Sequence, residues 1–414
     1  MRKIIIEENS SLTLEERYLP FVKEIMILNS DSPIQLNGNI LSFNEYTVGI
    51  LKLDDLIIEI KCRNEALTMN TIFEMYSFVN NNHSKLNLES IGFDMGNSFE
   101  LASITNYFYK LCAALLQIGL TGDFNKHNVT SQIIRGNIVF EKYVKKELPF
   151  KGLSMITEEY SVNCLANQVI KSAILKLLES ESNEENILNL TSLLREFSYI
   201  DTQRFMESEL ERIEYAISSF YSSNPYYALV LEMSLKILKD LKMSYNNGNL
   251  EWYMFLVNSN NLFEEYARKM LTICLENEVE KWREPKKYAS ILSDYGVGSK
   301  SFSPDIIIDY NDSYNTCRVV LDVKNKKFLP SKQNISDLIS PADLYQLLFY
   351  CRQLKTNVGG IIYPTKEDCD PVKVEVNDEH DPLIYLFSIN MFDSFENRMN
   401  KLKEEIETKL LMYT

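Results

Sequence analysis

Short apolar runs divided by turn residues fill the first sixty positions, and they predict strands. Residues 34–36, the pair Asn37-Gly38 and residues 39–41 form a tight hairpin signal, because Asn-Gly supplies the positive φ angles of a type I′ turn. Residues 48–53, the pair Asp54-Asp55 and residues 56–61 predict a second hairpin. The apolar spacing then lengthens to three or four, predicting helices over 70–79 and 99–118, the latter capped by Gly119. Strand character returns over 135–143. From 163 to 178 the spacing of Leu165, Val169, Ala173 and Leu177 is helical, and the acidic run 179–186 is a solvated loop. Helices follow over 186–197 and 204–220. Asn224-Pro225 opens another, which runs to about Met243 and stops at Asn246-Asn247-Gly248, the predicted domain boundary.

Beyond that boundary the order is helix (261–282), three strands (288–292, 304–310 and 316–324), helix (341–354) and strand (358–363). A strand over 383–389 and a charged helix from Phe392 follow. The fold class expected is α+β and multidomain: a strand-rich region 1–155, a helical region 156–249 and an α/β domain 250–414. No internal repeat or low-complexity tract interrupts it.

Composition narrows the function classes. With 414 residues, 45% hydrophobic and 24% charged, the chain has the make-up of a globular protein of two or three domains. No signal peptide is visible after Met1, and the longest apolar stretch, 111–120, is far short of the ~20 residues a membrane span needs. Seven scattered cysteines without a Cys-x-x-Cys pair suit reduced thiols, so the expected location is the cytoplasm. Three histidines (His83, His127 and His380) make a zinc site or a histidine-based triad improbable. The net charge of −15 repels a DNA duplex, so any DNA chemistry needs local basic residues or a partner that holds the DNA.

The candidate chemistry lies in the last third. Antiparallel pairing across the polar turn 311–315 would set Asp305 beside Asp322. Strand alternation then points Asp322 and Lys324 one way and Val323 the other. Two carboxylates and an ammonium suit phosphodiester hydrolysis. The acids hold Mg²⁺ (or Mn²⁺), which prefers oxygen ligands and keeps several waters, and the lysine steadies the developing charge. Such spacing also arises by chance among 58 acidic and 43 basic residues, and a surface hairpin with exposed charges is the plain alternative. Context favours the site: Gln346 and Tyr350 stand one turn apart on the following helix, and Glu264 lies on the preceding one. Lys326, Lys327 and Lys332 lie in a loop free of acids and could meet DNA phosphates, a plain solvated loop being the alternative.

Pro304-Asp305, Asp322-x-Lys324 and Gln346-x-x-x-Tyr350 resemble the PD-(D/E)XK nuclease superfamily, and their surroundings resemble the McrC family, the nuclease subunits of McrBC-type restriction systems. Leu262-Phe263-Glu264 with Tyr266 is similar to the helix that opens that nuclease domain, and Asp343-Leu344-Tyr345-Gln346 to its Asp-x-Tyr-Gln helix. Upstream, Tyr46-Thr47-Val48-Gly49, Ile58-Glu59-Ile60, Gly119-Leu120, Arg135-Gly136-Asn137-Ile138 and Asn167 resemble the family's signatures in order. The chain departs from the pattern at Lys61-Cys62-Arg63, where many members have Pro-Lys, and over the long stretch 179–223.

The resemblance implies a PD-(D/E)XK core with Asp305 and Asp322 as metal ligands and Lys324 as catalytic lysine. Glu264 would be a supporting acid and further ligand, and Gln346 with Tyr350 a DNA-orienting pair. It also implies a partner, an AAA+ GTPase that recognises modified double-stranded DNA. No Gly-x-x-x-x-Gly-Lys-Ser/Thr loop occurs here, so the motor would be that separate protein, with residues 1–249 docking on it and stimulating it. Two other readings stay open: a non-cutting scaffold that activates the GTPase, and a self-sufficient nuclease.

Overall fold

The computed structural model describes residues 2–28, 32–79, 101–140, 152–181, 183–217, 225–246, 249–293, 296–330, 334, 337–376 and 382–413. The chain is mixed α/β and gathers into two compact units. One joins the amino-terminal segment, up to residue 80, to everything from Phe255 onward; the other is the middle of the chain, between Glu100 and Met254. This differs from segments cut at 155 and 249. The early strands join the residues from Phe255 onward through long-range bonds: the Ser259 amide donates to the Tyr46 carbonyl at 2.8 Å and Asn258 Nδ2 to that of Glu45 at 3.4 Å.

In the first unit, β1 (Arg2–Glu7) pairs in parallel with β6 (Leu56–Lys61), which pairs antiparallel with β5 (Thr47–Leu53). The predicted hairpin at Asp54-Asp55 is present, with Asp54 at φ 51°. The earlier hairpin is also present, as β3 (Ile34–Asn37) against β4 (Ile40–Phe43), which also pairs with β2 (Ser11–Thr13), but with its turn moved one residue along the chain. Asn37 opposes Ile40, so the two turn residues are Gly38 and Asn39, and of these Gly38 alone has positive φ. A type I′ turn needs both, so the turn is of another type.

Helix α1 (Leu19–Leu28) and helix α2 (Met69–Val79) complete the amino-terminal part. In the middle unit, α3 (Leu101–Ile118) ends on Gly119 at φ 101°, as a glycine cap requires. Helices α4 (Leu165–Ser180), α5 (Glu184–Glu196), α6 (Glu207–Ala216) and α7 (Pro225–Asp240) follow the predicted periodicity. Asn167 is fully buried and satisfies three partners. It donates to the Thr121 and Val162 carbonyls at 3.0 and 2.7 Å and accepts from the Tyr227 hydroxyl at 2.8 Å.

Three expectations need correction here. Strand structure within 135–143 is confined to Asn137–Ile138, the positions from 141 lying outside the described residues. It joins two longer strands that polar composition hid, Asp123–Ser131 and Leu153–Ser161. The helix expected to reach Met243 ends at Asp240, and the strands Lys242–Asn246 and Asn249–Asn258 then pair antiparallel, with Asn247-Gly248 of the expected boundary lying outside the described residues.

The carboxy-terminal sheet positions the candidate site. Its order runs Val279–Glu280, Ile306–Ile308, Val319–Val323, Val358–Thr365, Leu383–Asn390, Val372–Val374. Helix α8 (Ser259–Cys274) precedes it, and α9 (Pro341–Gln353) is the crossover between the parallel strands Val319–Val323 and Val358–Thr365. Both of those strands are buried throughout, as expected where a sheet is covered on two faces. The strand predicted over 288–292 runs Lys286–Ser293 and pairs with Gly296–Phe302 in a two-stranded sheet of its own, outside the site sheet. A core of Ile307, Val320, Leu347, Tyr350, Ile361 and Leu386 packs α9 on one face. Helix α10 (Phe395–Lys409) closes the chain. Among the described residues no helix is long and apolar enough to cross a membrane.

Candidate functional site

Ile306, Ile307 and Ile308 pair with Leu321, Val320 and Val319, and Asp305 lies one residue before this paired segment, at the end where Asp322 follows Leu321. Asp305 Oδ2 accepts a hydrogen bond from the Val323 amide at 2.8 Å, which ties the acid to the neighbouring strand. Alternation puts Asp322 on the Val320 face, while Asp305 and Lys324 lie one residue outside the strands Ile306–Ile308 and Val319–Val323, which are shorter than the expected 304–310 and 316–324. Both Ile307 and Val320 belong to the core under α9. The Lys324 ammonium lies 2.7 Å from Asp322 Oδ2, with 18% of the lysine side chain and 1% of the aspartate's exposed. The expected convergence of two carboxyls and an amine is therefore realised.

The electrostatics follow from that crowding. Burial, then the nearby Asp305 charge, push the Asp322 carboxyl well above the usual range, against the opposing pull of Lys324. Burial alone would lower Lys324, but Asp322 and Asp305 outweigh it and hold the ammonium above its ordinary value. Glu264, on α8, rises to about 7 through burial and the charge of Asp305. Its Oε1 accepts from Asn260 Nδ2 at 2.6 Å. Sequence reading overlooked Asn260, though its four-residue spacing from Glu264 on a helix was the available signal.

Ser340 caps α9 by accepting from the Asp343 amide at 3.2 Å, and Pro341 occupies the first turn. One turn on, Gln346 Nε2 donates to the Tyr350 hydroxyl at 2.7 Å, and that hydroxyl donates to the Ser303 carbonyl at 3.4 Å. The pair thus braces the backbone two residues before Asp305. Tyr350 also packs in the core, so its structural and site roles coexist. The three lysines expected near DNA separate. Lys326 is engaged by Asp343 at 2.6 Å, Lys327 is exposed, and Lys332 lies outside the described residues.

Asp322 is buried with its Oδ2 2.7 Å from the Lys324 ammonium, and the Asp305 charge crowds its carboxyl, a negative pair that a cation would relieve. Among the described residues no three His, Cys, Asp or Glu side chains are arranged to hold a metal ion together. Asp305 and Asp322 are thus a two-carboxylate set, with Glu264 engaged by Asn260 beside it. That suits Mg²⁺, which is commonly held by one or two carboxylates and retains its waters.

Fold and site together define a mixed α/β protein carrying an Asp-Asp-Lys cluster at the end of a buried central strand. The chain matches the family described as McrBC 5-methylcytosine restriction system component over residues 43–364, and it belongs to that family. Among solved structures it is similar to a chain of the refined half-complex from the tetradecameric assembly of Thermococcus gammatolerans McrB AAA+ hexamers with bound McrC. The TM-score is 0.63 at 15% identity, covering 98% of this chain and 99% of that one, a likeness of fold. It also matches a chain of the Thermococcus gammatolerans McrBC complex, with a TM-score of 0.43 and 14% identity over 65% of this chain and 87% of the other. No curated protein matches significantly.

Proposed function

We propose that this chain is the metal-dependent endonuclease subunit of a two-component restriction system, built on a PD-(D/E)XK core and acting with an AAA+ GTPase. The observation that supports it best is the cluster: Asp305 bonded to the Val323 amide at 2.8 Å, beside Asp322, with the Lys324 ammonium 2.7 Å from Asp322. Family membership and a fold shared with a chain from an assembly of McrB AAA+ hexamers with bound McrC support the partnership.

A divalent cation held by Asp305 and Asp322 would supply Lewis-acid chemistry at the scissile phosphate. Lys324 sets an ammonium beside the pair, where it donates to phosphate oxygens as charge builds on them. Gln346 and Tyr350 hold the backbone that carries Asp305. Glu264, poised near neutrality, accepts or returns a proton at the edge of the site. The partner recognises the modified DNA and holds it, so a subunit of net charge −15 needs little affinity of its own.

The test is cleavage of 5-methylcytosine DNA by the chain with its GTPase partner, GTP and Mg²⁺. Asp322→Ala and Lys324→Ala should each abolish cutting, by at least about 10³-fold, while partner binding and GTPase stimulation persist. Undiminished cutting by both variants removes the assignment. No cutting by the unaltered chain, with GTPase stimulation retained, would favour the scaffold.

A further inference from the structure

The residue after Lys324 is Asn325, and it faces away from the site into a buried polar cluster. Its Nδ2 donates to Ser259 Oγ at 3.1 Å and to Cys62 Sγ at 3.4 Å. Ser259 is fully buried at the start of α8, and its hydroxyl donates to Glu8 Oε2 at 3.1 Å. Glu8, itself 3% exposed one residue past β1, also accepts from Cys62 Sγ at 3.2 Å and from the Arg63 amide at 3.0 Å. One residue further, Asn64 Nδ2 donates to the Lys326 carbonyl at 3.1 Å.

We infer that Glu8, Ser259 and Asn325 are positioning residues that fix Lys324 relative to Glu264. The inference rests on the nuclease reading above. Each link joins an element that carries a site residue. Asn325 anchors the backbone next to the lysine, Ser259 heads the helix that bears Glu264, and Glu8 is the buried carboxylate on which the serine and cysteine donors converge. The Asn64 bond clamps the same segment two residues past the lysine. Lys324 lies one residue past the strand Val319–Val323, its amide still donating to the Ile362 carbonyl at 3.0 Å, and these anchors hold the backbone on its other side. A buried carboxylate needs its donors, and the donors in turn are held to it, which makes the cluster stiff. The amino-terminal strands thereby become part of the nuclease site, through the same segment, Lys61-Cys62-Arg63, where the sequence departs from its family's usual pattern.

The test uses the full chain with its AAA+ GTPase partner, GTP, Mg²⁺ and methylated DNA, with Lys324→Ala as the inactive reference. Asn325→Ala and Glu8→Gln should each lower kcat by about 10- to 100-fold, as loss of an outer support does at a metal site, with the KM for DNA changed less than about twofold. GTPase stimulation and melting temperature report that docking and fold survive. The double variant should be no slower than the slower single one, because both act through one chain of bonds. Should Asn325→Ala fail to fold, Glu8→Gln, which keeps the shape of the side chain, carries the test. Wild-type kcat in the folded variants overturns the positioning role and leaves the nuclease reading intact. Additive losses, or a rise in KM alone, overturn it too. Absence of cleavage by the wild type overturns both.

Discussion

Asp322 and Glu264 share a site with Asp305, and each is drawn from water, so both hold protons more tightly in the folded chain than in the unfolded one. For Glu264, at about 7 against an ordinary 4.5, the group's contribution to stability is complete below pH 4.5 and is lost as pH rises through about 7. In metal-free buffer at pH 8, Glu264→Gln should therefore stabilise the fold by about 1–2 kcal/mol, solvent screening at a partly open site taking the rest. The gain should vanish below pH 4.5; a gain equal at pH 4 and pH 8 in urea titrations would rule out this electrostatic cause. A cation must displace the same protons, so apparent Mg²⁺ affinity should rise with pH through neutrality, as calorimetry can read.

Among the elements, β5 shows how a family signature becomes a packing rule. Gly49, the last residue of Tyr46-Thr47-Val48-Gly49, has φ 134°, and a Cβ there would stand 2.1 Å from the Phe255 carbonyl oxygen. The resemblance located this glycine; its cause is the close approach of the strand Asn249–Asn258. Gly49→Ala should destabilise the chain by about 2–4 kcal/mol in denaturant titration, since both the backbone angle and the contact resist a methyl group. A loss below about 0.5 kcal/mol would show that the neighbouring strand can give way. Apolar periodicity located α2 to α10 to within a few residues, save that α8 ends near Cys274 rather than Trp282. It missed the strands Asp123–Ser131 and Leu153–Ser161, which pair with each other and whose mainly polar sequences carry no clean period-two signal.

For the whole molecule, the long-range ties matter most. Arg398, on the last helix, is 6% exposed and donates to the Tyr266 hydroxyl and to Glu74, both at 2.7 Å, binding α10 to α8 and α2. Arg398→Ala would leave Glu74 without this partner and should cost about 3–5 kcal/mol, although no candidate site residue is touched. Equal midpoints in guanidinium for variant and wild type would contradict that. By itself the sequence determined the strands and helices that bear Asp305, Asp322, Lys324, Glu264, Gln346 and Tyr350, because local spacing and alternation fix which way neighbouring side chains point. It also determined the family, because those short motifs keep their order along the chain. Tertiary structure alone decided that the first eighty residues pack with the last hundred and sixty, and that Glu8 meets Ser259 and Asn325. It likewise decided that Lys326 turns to Asp343. Such contacts join positions 17 to 251 residues apart through single hydrogen bonds, which leave no periodic trace in a linear pattern.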